Sequence, residues 1–273
     1  MSNRSQAITV AKVRGNLRET SDDRVAVEEP LEIRLGYCRG EQRTTQAVSI
    51  TMRTPEDDED LAVGFLFSES IIRSPADLAI VKPCQGDNTV RVELEDDVDV
   101  DIDRLQRNFY TTSSCGVCGK ASLDTLRVEG ASAPDTVARF TEEVLLAMPE
   151  RLREAQATFE ETGGLHAAAA FDARGNLAVV REDVGRHNAV DKVIGALFME
   201  QRLPAAELGL IVSGRASFEL MQKALVAGMP LMAAVGAPSS LAVELAREFN
   251  VTLVGFLREG SYNVYAGEER IIV

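Results

Sequence analysis

Cys115 and Cys118 sit in Thr111-Thr112-Ser113-Ser114-Cys115-Gly116-Val117-Cys118-Gly119-Lys120 and are two of the chain's four cysteines. Small polar residues lead in, glycines separate and follow the thiols, and a lysine leads out. Such a segment is too polar for a core and reads as a mobile loop carrying reactive sulfur. Lys120 and glycine-exposed amides would lower a thiol pKa from its free value of about 8.5. Four chemistries compete. Zinc would need two further ligands; Cys38 and Cys84 are isolated, and His166 and His187 lack finger spacing. A thioredoxin-like redox pair is compatible with Cys-Gly-Val-Cys but would follow an apolar strand, which Tyr110-Thr111-Thr112-Ser113-Ser114 is not. A phosphate-binding loop is excluded because Ala121, not Ser or Thr, follows Gly119-Lys120. A nucleophilic or sulfur-carrying thiol remains. Against all of these stands a pair of incidental surface cysteines.

Other polar residues are weaker candidates. His166 follows Gly163-Gly164-Leu165; a deaminase-type zinc motif would place Glu at 168, where Ala168 stands. Bonding of His166 to backbone beside a glycine turn is as good a reading as ligand contact. The run Arg181-Glu182-Asp183-Val184-Gly185-Arg186-His187-Asn188-Ala189-Val190-Asp191-Lys192 is the densest polar stretch beside an apolar helix. Asp183, His187 and Asp191 are spaced by four, compatible with acid–base work or with capping and ion pairs. Ser217 and Glu219 suit a helix start better than a catalytic serine, since no Gly-x-Ser-x-Gly elbow surrounds them.

The elements that must position these groups can be read from periodicity. Residues 31–35 and 46–52 alternate as antiparallel strands, and 90–94 is another strand. Thr54-Pro55 and the acidic residues after them predict a helix reaching about residue 72. Residues 95–103 form an acidic, solvated stretch, and residues 141–159 a helix broken at Pro149. Beyond it, strands at 177–180, 208–212, 231–235 and 251–256 alternate with helices at 188–199, 218–227 and 241–249. That order predicts an α/β architecture with a largely parallel sheet covered on both faces. Ser213-Gly214-Arg215, Gly236-Ala237-Pro238-Ser239-Ser240 and residues 256–261 then follow strand ends, where open α/β sheets bind ligands. Helix N-termini rich in serine and glycine, with Arg215 and Arg258 beside them, suit a phosphate.

The chain has 273 residues, 45% of them hydrophobic, enough for a sizeable core. Its net charge of −14, from 29 basic and 43 acidic residues, argues against sequence-independent nucleic-acid binding. No apolar run reaches membrane-spanning length, and the N-terminus lacks a signal-peptide core, so the expectation is a soluble cytoplasmic protein. Residues 1–29 read as extended or poorly ordered, 30–110 as a smaller α+β region, 111–120 as the Cys-x-x-Cys loop, and 121–273 as the α/β core.

Ser113-Ser114-Cys115-Gly116-Val117-Cys118-Gly119-Lys120 resembles the signature of the FdhD family of formate dehydrogenase accessory sulfurtransferases. Leu61-Ala62-Val63-Gly64-Phe65-Leu66, Thr162-Gly163-Gly164-Leu165-His166-Ala167-Ala168, residues 181–189, residues 213–219, residues 237–242 and Gly255-Phe256-Leu257-Arg258 resemble further family blocks in the same order. Phe67-Ser68-Glu69-Ser70 departs from the acidic-glycine pair common after the first of these. The resemblance implies a sulfurtransferase that carries persulfide from a cysteine desulfurase to the molybdenum (or tungsten) bis(molybdopterin guanine dinucleotide) cofactor of formate dehydrogenase. It also implies a homodimer with a cytidine deaminase-like three-layer core and no metal. Cys115 and Cys118 would be the catalytic pair. Phe256, Leu257, Arg258, Glu259, Gly260 and Ser261 would contact the cofactor; the strand-end reading adds Arg215 and Ser239, and the polar run adds His187. A thiol–disulfide oxidoreductase and a non-enzymatic cofactor-binding chaperone are the rival readings.

Overall fold

Strands β1 (Ser5–Arg14) and β2 (Leu17–Ala26) pair antiparallel around a tight turn at Gly15, whose φ of +61° costs glycine nothing. The computed structural model describes residues 4–40, 42–84, 88–100, 133–134 and 136–273. Within it, this hairpin occupies most of the stretch expected to be extended or poorly ordered. Arg4 anchors its base to Glu56 and Asp57, and Ser5 and Arg24 reach Glu161.

A second sheet follows, of β3 (Glu29–Arg39), β4 (Gln42–Arg53), β5 (Leu78–Pro83) and β6 (Thr89–Leu94), in the order β4-β3-β6-β5. Strand alternation turns Leu31, Ile33, Leu35, Val90, Val92 and Leu94 to one face, where they are buried under helix α1 (Asp58–Ser68). The helix expected from Thr54-Pro55 is not capped by Thr54. The helix starts later, behind Glu56 and Asp57, which hold positive φ (+76° and +57°) under the pull of Arg4 and Arg181. Thr54 is instead fully buried, its amide donating to the Asp183 carboxylate at 3.2 Å. The helix also ends at Ser68 rather than near residue 72.

The third unit begins at β7 (Phe140–Thr141). It continues through α2 (Glu142–Glu154), α3 (Ala157–Thr162), β8 (His166–Phe171), β9 (Leu177–Asp183) and α4 (Arg186–Met199). Then come β10 (Gly209–Val212), α5 (Phe218–Val226), β11 (Leu231–Ala234), α6 (Ser240–Glu248), β12 (Thr252–Arg258), β13 (Ser261–Ala266) and β14 (Ile271–Ile272). Pro149 lies inside α2 without breaking it; the interruption falls at residues 155–156. The six-stranded sheet has the order β13-β12-β11-β10-β8-β9. Only β10–β11 and β11–β12 are parallel, so the expectation of a largely parallel sheet is corrected to a mixed one. The reason is local: only α5 and α6 are crossovers between neighbouring strands, whereas β8–β9 and β12–β13 are hairpins and must be antiparallel. Asp172 closes the first hairpin by accepting from the Arg174 and Asn176 amides.

Strand alternation divides the core in two. Ala168, Ala170, Leu210, Val212, Met232 and Leu253 face α4, α5 and α6; Ala167, Ala169, Ile211, Ala233 and Val254 face α2. Helix α4 is buried over its whole length from Asn188 to Phe198, because α1 covers the side that the sheet does not. The two helices meet backbone to backbone. A Cβ on Gly64 would collide with the Asp191 carbonyl, and one on Gly195 with the Asp60 carbonyl. Backbone cannot retreat as a flexible side chain can. Gly195→Ala should therefore destabilise the fold by about 3 kcal/mol. The measurement is the urea midpoint at unchanged slope; an unchanged midpoint would show that the helices separate freely.

Candidate functional site

The three parallel strands end in loops that continue the sheet's hydrogen bonding beyond the strands. The Gly236 amide donates to the Gly214 carbonyl at 2.9 Å, and the Phe256 amide to the Gly236 carbonyl at 3.1 Å. Ala216 donates to Ala237 (3.2 Å) and Ser239 to Ala216 (2.9 Å). Glycine is required in this ladder at Gly236, where a Cβ would sit 2.9 Å from the Gly214 carbonyl, and at Gly255, where it would sit 2.8 Å from Pro238. The side chains of Ser217 and Ser239 cap α5 and α6, accepting from the Leu220 and Ala242 amides at 3.4 and 3.2 Å. Arg215, Ser239 and Phe256 are exposed along this single edge.

Phe256 is the anomaly of the edge. It is an aromatic residue at φ +53°, 44% exposed, inside a register shift between Gly255 and Arg258. The shift changes the parity of the strand. Leu257 joins Val254 in the core facing α2, and Phe256 is turned out. Of the residues expected at the cofactor, Leu257 is fully buried, so it can offer backbone only. Arg258, Glu259, Gly260 and Ser261 form the exposed β12–β13 turn, where Gly260 holds φ +72° and Arg258 Nε donates to Ser261 Oγ at 3.0 Å.

The polar run 181–192 resolves into a buried structural part and a half-buried helix start. Asp183 is fully buried; it pairs with Lys192 at 2.8 Å and accepts from Gly185 and Asn188 at 2.8 and 2.9 Å. Asp191 pairs with Lys223 at 2.7 Å and accepts from Ser68 at 3.0 Å. Glu182 accepts from the Thr158 and Phe159 amides at the start of α3. Asp183 and Asp191 therefore hold the fold together rather than serve acid–base chemistry. Arg186 and His187 are half-buried at the start of α4, where His187 meets the first turn of α5. His187 Nε2 lies 3.4 Å from Ser217 Oγ and 3.5 Å from Glu219 Oε2, linking the N-termini of α4 and α5. The His187 contact holds the Glu219 carboxyl down to about 2, so it is ionised throughout the neutral range. His166 opens β8 beside Ser213, whose hydroxyl accepts from the Ala167 amide at 2.9 Å. The sequence singled out His166 but missed Arg186 as a site residue; its neighbours become adjacent only through the β8–β10 pairing.

Cys115 and Cys118 lie outside the described residues. The two described cysteines are free thiols. Cys38 donates to Asp96 at 3.2 Å, which pushes its pKa up and leaves it a poor nucleophile. Among the described residues no group of three His, Cys, Asp or Glu side chains is placed to hold a metal, and no helix is long and apolar enough to cross a membrane.

Burial pushes the His166 pKa below its ordinary 6.5; the positive charges of Arg186 and His187 push the same way, and Asp183 opposes them. The neutral imidazole is thus favoured by folding, and this stability is lost as pH falls from the unfolded value through the folded one. An NMR titration should place the His166 midpoint below 6.5, and Arg186→Gln should move it upward. No movement would mean that Arg186 is not the neighbour that matters.

The model of the FdhD/NarQ family matches residues 26–272. A sulfur carrier protein FdhD from Mycolicibacterium paratuberculosis is 52% identical over 90% of this chain and 91% of its own length. One from Streptomyces avermitilis is 49% identical over 96% and 94%, and one from the archaeon Sulfurisphaera tokodaii 43% identical over 97% and 98%. A crystal structure assigned as a formate dehydrogenase accessory protein from Desulfotalea psychrophila has the same fold. It superposes with a TM-score of 0.77 over 98% of this chain and 99% of that one, at 23% identity.

Proposed function

This chain belongs to the FdhD/NarQ family, and on that premise we propose that it is a sulfurtransferase serving formate dehydrogenase. It carries persulfide sulfur from a cysteine desulfurase to the molybdenum bis(molybdopterin guanine dinucleotide) cofactor, which is its substrate. The observation that carries the reading is Cys115-Gly116-Val117-Cys118 inside the matched region, next in the chain to a core whose strand ends suit phosphate. The reading extends to a cytidine deaminase-like three-layer core, in which Ala168 would stand where a zinc deaminase needs its glutamate. The protein works as a homodimer in the cytoplasm.

The chemistry is balanced as follows. The Cys115 thiolate attacks the outer sulfur of the desulfurase persulfide. The donor S–S bond breaks, the desulfurase cysteine leaves as thiolate, and a new S–S bond forms on Cys115 without net oxidation. If the Cys118 thiolate then attacks Cys115 Sγ, the outgoing sulfur leaves as hydrosulfide and a Cys115–Cys118 disulfide remains. The pair thereby supplies the two electrons that bring the sulfur to the sulfide level. Relay to Cys118 would instead keep it as persulfide. On the substrate side, Arg258 pairs with phosphate, the Gly260 backbone allows close approach, and Phe256 offers an aromatic face. Arg215, Ser239 and His187 complete the edge.

Incubation with a desulfurase and cysteine should add the mass of one sulfur atom to the wild type and to Cys118→Ala, but not to Cys115→Ala. Full sulfur uptake by Cys115→Ala would remove Cys115 from the role. Calorimetry with GDP should show binding that Arg258→Ala weakens at least about tenfold. Retained formate dehydrogenase activity after loss of both cysteines would favour the chaperone reading instead.

A further inference from the structure

Arg186, like Arg215 and Arg258 at the strand-end edge, has no carboxylate partner among the described residues, and it differs from them in that its Nε is buried. The chain carries 43 acidic residues against 29 basic ones. Yet no carboxylate lies within ion-pair distance of Arg186 among the described residues, and its buried Nε has no hydrogen-bond partner there. The acids that could reach this region are committed elsewhere. Asp183 is held by Lys192, Thr54, Gly185 and Asn188, Glu182 caps α3, and Glu219 contacts His187. Arg186 and His187 both lie close enough to His166 for their charges to act on it, with only Asp183 opposing them. Three basic groups packed around one spot repel each other when charged, and an anion between them removes the repulsion.

The spot itself is open. A Cβ on Gly214 would lie 3.5 Å from His166 Nδ1 and 3.8 Å from Arg186 Cδ, ordinary contact distances with no clash. Gly214 is also not at positive φ. The described fold therefore tolerates a side chain at 214, and the glycine instead leaves a gap bounded by backbone, the His166 imidazole and the aliphatic stem of Arg186. Beside this gap run the Arg186 side chain and the His166 ring, and the first turns of α4 and α5 are joined through His187 and Ser217. A guanidinium and an imidazole can each donate to a tetrahedral oxyanion, which offers more acceptor oxygens than a flat carboxylate.

We propose that Arg186, His166 and the Gly214 backbone form a phosphoryl-binding subsite between the starts of α4 and α5, separate from the Phe256–Ser261 turn. The identity of the phosphate's carrier, a guanine dinucleotide arm, rests on the function proposed above; the subsite itself does not. Arg186 grips two phosphoryl oxygens, and His166 takes up positive character as the anion arrives.

Inorganic pyrophosphate and GDP, titrated separately into the full chain by calorimetry and by NMR of the histidine rings, test this. Pyrophosphate should bind the wild type and raise the His166 midpoint, because an adjacent anion favours imidazolium. Arg186→Gln should lose at least about tenfold in pyrophosphate affinity. Gly214→Ala, whose Cβ meets no clash, should keep the wild-type melting temperature while losing affinity to the same order. Absence of pyrophosphate binding, or binding that leaves His166 and both variants unaffected, would overturn the subsite. GDP separates the two readings. Binding sensitive to Arg258→Ala but not to Arg186→Gln keeps the cofactor assignment and discards the subsite. Pyrophosphate binding without GDP binding keeps the subsite and discards the guanine carrier.

Discussion

The structure depends on one helix that has no solvent side. Helix α4 is enclosed by the six-stranded sheet, by α5 and by α1, yet it carries Asp191 and Lys192 in its centre. Charges in that position are tolerable only when each is paired and hydrogen-bonded, since removing one partner leaves an uncompensated buried ion. Each is. Lys192 reaches Asp183 and the Thr54 carbonyl, and Asp191 reaches Lys223 and Ser68. The partners come from the end of β4, the end of α1, the end of β9 and the body of α5. The two pairs therefore fix where the smaller sheet and α5 sit relative to α4. They also fix the first turn of α4, because Asp183 holds Gly185 and Asn188 on either side of Arg186 and His187.

A second constraint acts at the strand ends. The loops after β10, β11 and β12 bond to each other through backbone, and glycines at 236 and 255 let them lie close. That rigid ledge is completed by the strained backbone at Phe256. A residue held at φ +53° by surrounding packing costs energy that a regular strand would avoid. What the cost achieves is visible in the side chains: Leu257 fills the core, and an aromatic ring is offered at the ledge.

Much of this was legible in the sequence, for reasons that can be named. The apolar runs of β10, β11 and β12 and the helices between them have strong periodicity and serine caps, and Ser217 and Ser239 do cap α5 and α6. Strand β8 was hidden because four consecutive alanines have weak strand propensity, and without β8 and β13 the sheet looked largely parallel. Residues 56 and 57 misled because acidic residues ordinarily favour a helix start, whereas here they take positive φ under two arginines from distant segments. Asp183 and Asp191 resembled catalytic carboxylates because their buried lysine partners are not recognisable from spacing. Arg186 was not singled out from that run for the opposite reason: it lacks a carboxylate partner among the described residues, which only packing reveals.

The enclosure of α4 also sets an order of events during synthesis. Helix α1 has its side of the smaller sheet once β5 and β6 exist, but its other side waits for a helix encoded beyond the cysteine segment. The chain on either side of that segment is pinned to different places, with Val100 packed against the smaller core and Ala138 buried under the larger sheet. Contacts of such high sequence separation slow folding. Until α4 emerges from the ribosome, the glycine face of α1 is a sticky, half-finished surface. The stretch bearing Cys115 is therefore made before the core that it joins can close.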